Sequence, residues 1–230
     1  AARRAACRIG QRGAMYPWQS GSDGREESQQ IHLNPRSGRW LPDTSHLQRH
    51  VGLAVAYNIW QYYQATGDLQ FLADHGAETM LEIARFFAGL AGYDATRDRF
   101  RIRAVMGPDE FSTRYPGAAQ PGIDDNAYTN VMAVWLLLRA QDALAALPPT
   151  RRTELAESLG LDQAELLHWR DVSRRMYVPI APDGIISQFE GYRDLAELDW
   201  ADYRQRYGDI QRLDRILEAE GRSVDDYQVS

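Results

Sequence analysis

Lysine is missing altogether: all 26 basic residues of the 230 are arginine. Schiff-base lysine chemistry and a phosphate-cradling P-loop are therefore excluded within these residues. Cysteine is nearly absent. Cys7 stands alone, so no intrachain disulfide scaffold can form. No apolar run approaches the ~20 residues that span a bilayer, and no charged-then-apolar leader opens the chain. The expectation is a cytoplasmic protein with no membrane partner. A formal charge of −6 lacks the basic excess that phosphate backbones demand, so no nucleic-acid partner is expected either. What is present is ordinary for a globular chain, with 44% hydrophobic and 25% charged residues. The aromatic set is skewed, with six Trp and twelve Tyr against six Phe. Trp and Tyr pair an apolar face with a polar handle, which suits both helix interfaces and sites that stack on sugars.

The apolar pattern predicts helices in pairs. Leu47, Val51, Val55 and Ile59 fall at helical spacing from Leu47 to Thr66. Gly67 offers a left-handed stop and Asp68 an N-cap, so a second helix over 69–90 completes an αα-hairpin. From Tyr93 to Arg103, Phe100 and Ile102 alternate with arginines, which predicts a short strand or hairpin. The Gly- and Pro-rich stretch from Gly107 to Gly122 cannot be helical throughout. Asp124, Asp125 and Asn126 can cap a third long helix that ends at Pro148-Pro149. Short helices follow near 154–159 and 162–176, the latter with Asp162 and Glu165 at capping-box spacing. The last predicted helix covers 210–220. The fold class that results is all-α with long loops.

Three loops gather carboxylates beside aromatic rings: 15–27, 106–112 and 186–192. In the second, Pro108 fixes the backbone and Gly107 permits an unusual turn. Glu110 beside Phe111 then fits two readings. In one it is a general acid that keeps its proton in apolar surroundings. In the other, Asp109 caps a turn and Glu110 is a solvated charge. His46 and His50 stand four apart, a chelating separation, but no third ligand is indicated and no metal is expected. Cys7, set among arginines, reads as a plain thiol. Asp225 and Asp226 read most simply as solvated charges.

Four motifs carry a resemblance: Tyr16-Pro17-Trp18-Gln19-Ser20, the run from Asn58 to Asp68, Gly107-Pro108-Asp109-Glu110, and Asp125-Asn126-Ala127-Tyr128-Thr129-Asn130. In this order they resemble glycoside hydrolase family 65, which includes maltose, trehalose and kojibiose phosphorylases and related hydrolases. Gln188-Phe189-Glu190-Gly191-Tyr192 extends the likeness over nearly the whole chain. The resemblance implies an (α/α)6 barrel, here a partial one, with active-site loops at one mouth and a short β-hairpin. It makes Glu110 the general acid and places Trp18, Gln19, Glu27 and Asp109 at the sugar, Glu27 being otherwise a solvated acidic turn. It implies inverting cleavage of an α-linked glucose disaccharide or glucoside, by inorganic phosphate as co-substrate or by water. No cofactor or metal is implied, and the full-length protein is expected to be capable of forming a homodimer. Glu190 does not match the position the family uses for a base and is given no such role. The rival from another class is a noncatalytic sugar-binding or helical-scaffold relative. Residues 1–230 are expected to form one incomplete catalytic domain, an internal part of a larger barrel that is poorly soluble and inactive alone.

Overall fold

Gly67 adopts φ 66°, the left-handed conformation that ends α2 (Val51–Thr66), and Asp68 accepts a hydrogen bond from the Phe71 amide at 2.9 Å. This two-residue connection turns the chain into the second arm of the hairpin, as predicted. That arm begins as α3 (Leu69–Phe71), passes through one π-helical turn (Leu72–Gly76) and continues as α4 (Ala77–Leu90). Gly76 lets α2 come close, because a Cβ there would stand 3.0 Å from Ile59 Cγ2. The computed structural model describes residues 1–108 and 111–229; Asp109, Glu110 and Ser230 lie outside the described residues.

The remaining elements follow from local signals, several of them too short to predict. Asn126 caps α5 (Ala127–Ala146) by accepting from the Thr129 amide at 3.0 Å. Pro149 occupies the first turn of α6 (Pro149–Leu159), which therefore starts five residues before the expected position. Asp162 caps α7 (Gln163–Arg175), but Glu165 does not return the bond to the cap. Its carboxylate goes to Arg85 instead, at 2.6 and 3.0 Å. The predicted hairpin is β3 (Gly92–Asp94) with β4 (Arg99–Arg101), antiparallel, pairing Tyr93 with Phe100. Helix α1 (Ala2–Arg8), helix α8 (Trp200–Tyr207) and the hairpin of β1 (Ile31–Leu33) with β2 (Trp40–Pro42) were not anticipated. The last expected helix is shorter, α9 (Leu213–Ala219).

Helix α2 also begins later than the periodicity suggests. Asp43 accepts from the amide and hydroxyl of Ser45 and so nucleates a separate 3-10 turn, Ser45–Leu47. The Leu47 carbonyl then accepts from the Met106 amide at 3.0 Å, a use that joins this turn to the loop at 106–108.

Helix α4 lies at the centre of the main core. It buries Met80, Leu81, Ile83, Phe86 and Phe87, packed against Leu136, Leu137 and Ala140 of α5. Trp169 and Val172 of α7 join the same core, packed against α5 and α4. Because α4 is covered nearly all round, two of its three charged residues, Glu82 and Arg85, are buried with it, while Glu78 stays partly exposed. Glu82 sits between Arg85 at 2.7 Å and Arg3 at 2.8 Å, and Arg85 also holds Glu165. Removing one partner of such a buried pair leaves an uncompensated charge, which is strongly destabilising. The C-terminal segment has its own small core, Leu198, Tyr203, Leu213, Ile216 and Leu217. The architecture is the expected one: predominantly helical, part of an α/α barrel, with small hairpins that do not close into a larger sheet. Among the described residues no helix is long and apolar enough to cross a membrane.

Phe87 is fully buried at the centre of this packing. The Phe87→Ala variant is expected to lose about 3–5 kcal/mol of stability. A lowered urea midpoint with an unchanged slope would report it.

Candidate active site

The loops at 15–28 and 106–118 meet at one groove of about 1160 Å³, whose other walls are the β1–β2 hairpin and residues 212–226. The first loop is closed by its own hydrogen bonds. The Glu27 amide donates to the Gln19 carbonyl at 2.9 Å, and the Gln19 amide donates to Ser28 Oγ at 3.3 Å. Glu26 is occupied inside the loop, accepting from the amide and hydroxyl of Ser28. Beneath it, the half-buried Arg49 donates to Met15 Sδ at 3.1 Å. Burial pushes the Arg49 guanidinium below its usual range, while Glu26 opposes the shift.

Of the residues expected at the sugar, the structure brings Trp18 and Gln19 into the groove. Trp18 keeps 41% of its surface exposed, and its ring stands 5.7 Å from that of His50, which in turn meets the Tyr128 ring edge-on at 6.2 Å. Glu27 is exposed and does not line the groove. Asp109 and Glu110 lie outside the described residues, but Pro108 and Phe111, which bracket them in sequence, both line it. Sequence reasoning treated His50 only as a possible metal ligand and passed over Gln48. Gln48 is buried in the groove wall, where its Nε2 donates to the Gly107 carbonyl at 3.3 Å and its Oε1 has no hydrogen-bond partner among the described residues. The sequence shows only a polar residue just ahead of a helix, and neither its burial nor its bond to Gly107 is visible there. Among the described residues, no group of three or more His, Cys, Asp or Glu side chains is arranged to hold a metal ion.

Gly107 is required for a different reason than expected. Its value lies in a close approach, since a Cβ at this position would lie 2.4 Å from Asn126 Nδ2. The unusual backbone comes four residues later, where Phe111 and Ser112 have φ of 73° and 48°. Side chains avoid this region, and each residue held there costs roughly 1–3 kcal/mol. Thr113 then donates from its amide to Asp225 at 2.6 Å and from its hydroxyl at 2.9 Å. Asp225 is thus no solvated charge: it is 6% exposed, and the sequence could not show its partner 112 residues away.

The third loop does not join the groove. Glu190 accepts from Tyr177 at 2.6 Å and ion-pairs with Arg97 at 2.7 Å. Burial pushes its carboxyl up, but these two partners more than offset that and hold it below the usual range. The loop's role is to brace the start of α5, where the Gln188 carbonyl accepts from the Ala127 amide at 2.8 Å.

On the opposite wall, Glu218 of α9 is clasped by the β1–β2 turn. Asn34 and Ser37 donate to its carboxylate, and Arg39 pairs with it. A groove of this kind offers an aromatic face beside amides and carboxylates, the set that recognises sugar rings and hydroxyls.

A helical-pair domain with such a groove built on its loops has the form of a carbohydrate-processing catalytic domain. The chain belongs to glycosyl hydrolase family 65: the family's central catalytic domain matches residues 1–230. It is 67% identical over all 230 residues to an uncharacterized glycosyl hydrolase of Mycobacterium tuberculosis, of which it spans 17% of the length. It is 43% identical over 224 residues, 96% of the chain, to trehalose 6-phosphate phosphorylase of Lactococcus lactis, of which it spans 27%. A solved structure provisionally assigned as a kojibiose phosphorylase, from human microbiome, shares the fold with a TM-score of 0.77 at 21% identity. The likeness covers 99% of this chain and 28% of that one.

The Ser37 hydroxyl, then Arg39 and Asn34, holds Glu218 below its ordinary value of 4.5. A carboxylate shifted down stabilises the folded contact above its ordinary value, and that contribution fades as pH falls through the lowered one. Acidification below the ordinary carboxylate range is therefore expected to loosen α9 from the β1–β2 turn. Hydrogen exchange of residues 213–219, corrected for intrinsic rates, should rise before that of α4.

Proposed function

We propose that the whole protein cleaves the α-glucosidic bond of a disaccharide or glucoside with inversion, and that Glu110 is its general acid. The observation that carries this reading is the groove, lined by Trp18, Gln19 and Gln48 together with Pro108 and Phe111, the residues that bracket Asp109-Glu110 in sequence. Trp18 offers a face for one sugar ring, and Gln19 and the buried Gln48, whose Oε1 has no partner among the described residues, offer amides for hydroxyls. Glu110 donates its proton to the glycosidic oxygen as the bond to the anomeric carbon breaks. The nucleophile enters from the opposite face through an oxocarbenium-like state. With phosphate the products are β-glucose 1-phosphate and the freed acceptor; with water, which gives up a proton to a base, they are β-glucose and the acceptor. Phosphorolysis is favoured by the name of the lactococcal relative, and the same name puts a phosphorylated disaccharide among the substrates to try.

Residues 1–230 supply one part of the catalytic barrel in this reading. Tyr57, Tyr62, Val131, Leu138 and Leu167 are large side chains exposed on helices, as expected of faces that further hairpins cover. Produced alone, the segment is expected to be poorly soluble and inactive; a soluble, monomeric preparation that cleaves would refute this.

The deciding assay incubates the full-length protein with trehalose 6-phosphate, trehalose, kojibiose, maltose and nigerose, with and without phosphate. Phosphate-dependent β-glucose 1-phosphate marks a phosphorylase, and glucose released without phosphate marks a hydrolase. Sugar binding without turnover supports the noncatalytic alternative. Glu110→Gln should lower cleavage of the active substrate by about 10²–10⁴-fold with the fold intact. Near-parental activity in that variant would sink the assignment.

A further inference from the structure

Thr113 is fixed from both sides. Its amide and hydroxyl donate to Asp225, the hydroxyl reaching both carboxylate oxygens at 2.9 and 3.2 Å, while its carbonyl accepts from the Gly122 amide at 2.6 Å. Asp225 is itself anchored. It lies in the 3-10 turn Val224–Asp226, its amide donates to Ser223 Oγ at 3.2 Å, and the next residue's carbonyl accepts from the Ala196 amide at 3.0 Å. Arg114 Nε stands 3.8 Å from the same carboxylate. This arrangement is stronger than a surface staple needs. A buried carboxylate receives three donor contacts from one residue, and that residue directly follows the two strained positions Phe111 and Ser112.

A left-handed pair of non-glycine residues relaxes unless its surroundings over-determine it. On the upstream side, the loop is held by Gly107 against Asn126 and by the Met106 amide on Leu47. Downstream, the Thr113–Asp225 contact is the corresponding anchor. We propose that Asp225 is a positioning residue: by holding Thr113 on the groove wall, it maintains the strained Phe111–Ser112 corner that directly follows the acid in sequence, and so supports acid catalysis. This rests on the reading of Glu110 as the general acid.

The test compares two substrates in the full-length protein. One is the natural disaccharide, whose leaving oxygen needs a proton. The other is α-glucosyl fluoride, whose fluoride departs with little help from an acid. Asp225→Asn and the gentler Thr113→Val are measured beside Glu110→Gln. Misplacing an acid by about 1 Å costs on the order of 10²-fold. Asp225→Asn is therefore expected to lower kcat on the disaccharide by about 10- to 100-fold, with KM and fluoride turnover within about threefold of the parent. Thr113→Val should show the same pattern more weakly. Equal losses on both substrates would make Asp225 a structural staple and overturn the inference. So would parental activity in both variants while Glu110→Gln still discriminates between the substrates. If Glu110→Gln itself fails to discriminate, the acid reading falls and the inference falls with it.

Discussion

The side chain of Asn126 joins the scaffold to the groove. Its oxygen accepts from the Thr129 amide and hydroxyl and so starts α5, the helix that α2, α4 and α7 all pack against. Its nitrogen fills the space that Gly107 leaves by lacking a Cβ, and reaches the Gln188 carbonyl at 3.4 Å. One amide therefore sets the helix start, seats the loop at 106–108 and braces the loop at 186–192. Moving it would shift a core element and a groove wall together. A rigid element that orients a loop is the usual way a fold supplies precise chemistry.

The neighbouring Asp125 shows how much charge this corner carries. It has φ 53°, no exposed surface, and an ion pair with Arg101 at 2.5 Å, supported by Asn130 at 3.2 Å. Burial pushes its carboxyl up and Arg101 opposes the shift. Removing either partner would strand a buried charge, which costs far more than the pair contributes when intact. This pair ties β4 to the start of α5, as the Glu82–Arg85–Glu165 network ties α4 to α7.

The long helices were legible because burial imposes a 3.6-residue period on α2, α4 and α5, and because Gly67, Asp68, Asn126, Pro148 and Asp162 are local stop and start signals. The elements that escaped have no such signature. Strands β1 and β2 are three residues each and alternate only between exposed and half-buried. Helix α1 is a short run of alanine and arginine, and α8 is dominated by polar residues. Trp18 and Gln19 of the groove, and the Gly-Pro-Asp-Glu motif, stood out because they resembled a family pattern. Asp225 and Gln48 did not, since what distinguishes them is burial and a partner distant in sequence. Such properties exist only after folding. Gly107 was singled out correctly but for the wrong physical reason, because a close approach and a left-handed turn look alike in sequence.

The central claim is that the groove between Trp18 and the loop at 106–113 receives the sugar and brings its glycosidic oxygen to the acid. The most direct measurement is a crystal structure of the full-length Glu110→Gln protein soaked with an uncleaved α-linked disaccharide. The account predicts one ring against Trp18 and the glycosidic oxygen within hydrogen-bond reach of residue 110. A disaccharide bound elsewhere, with its glycosidic oxygen remote from that loop, would contradict it.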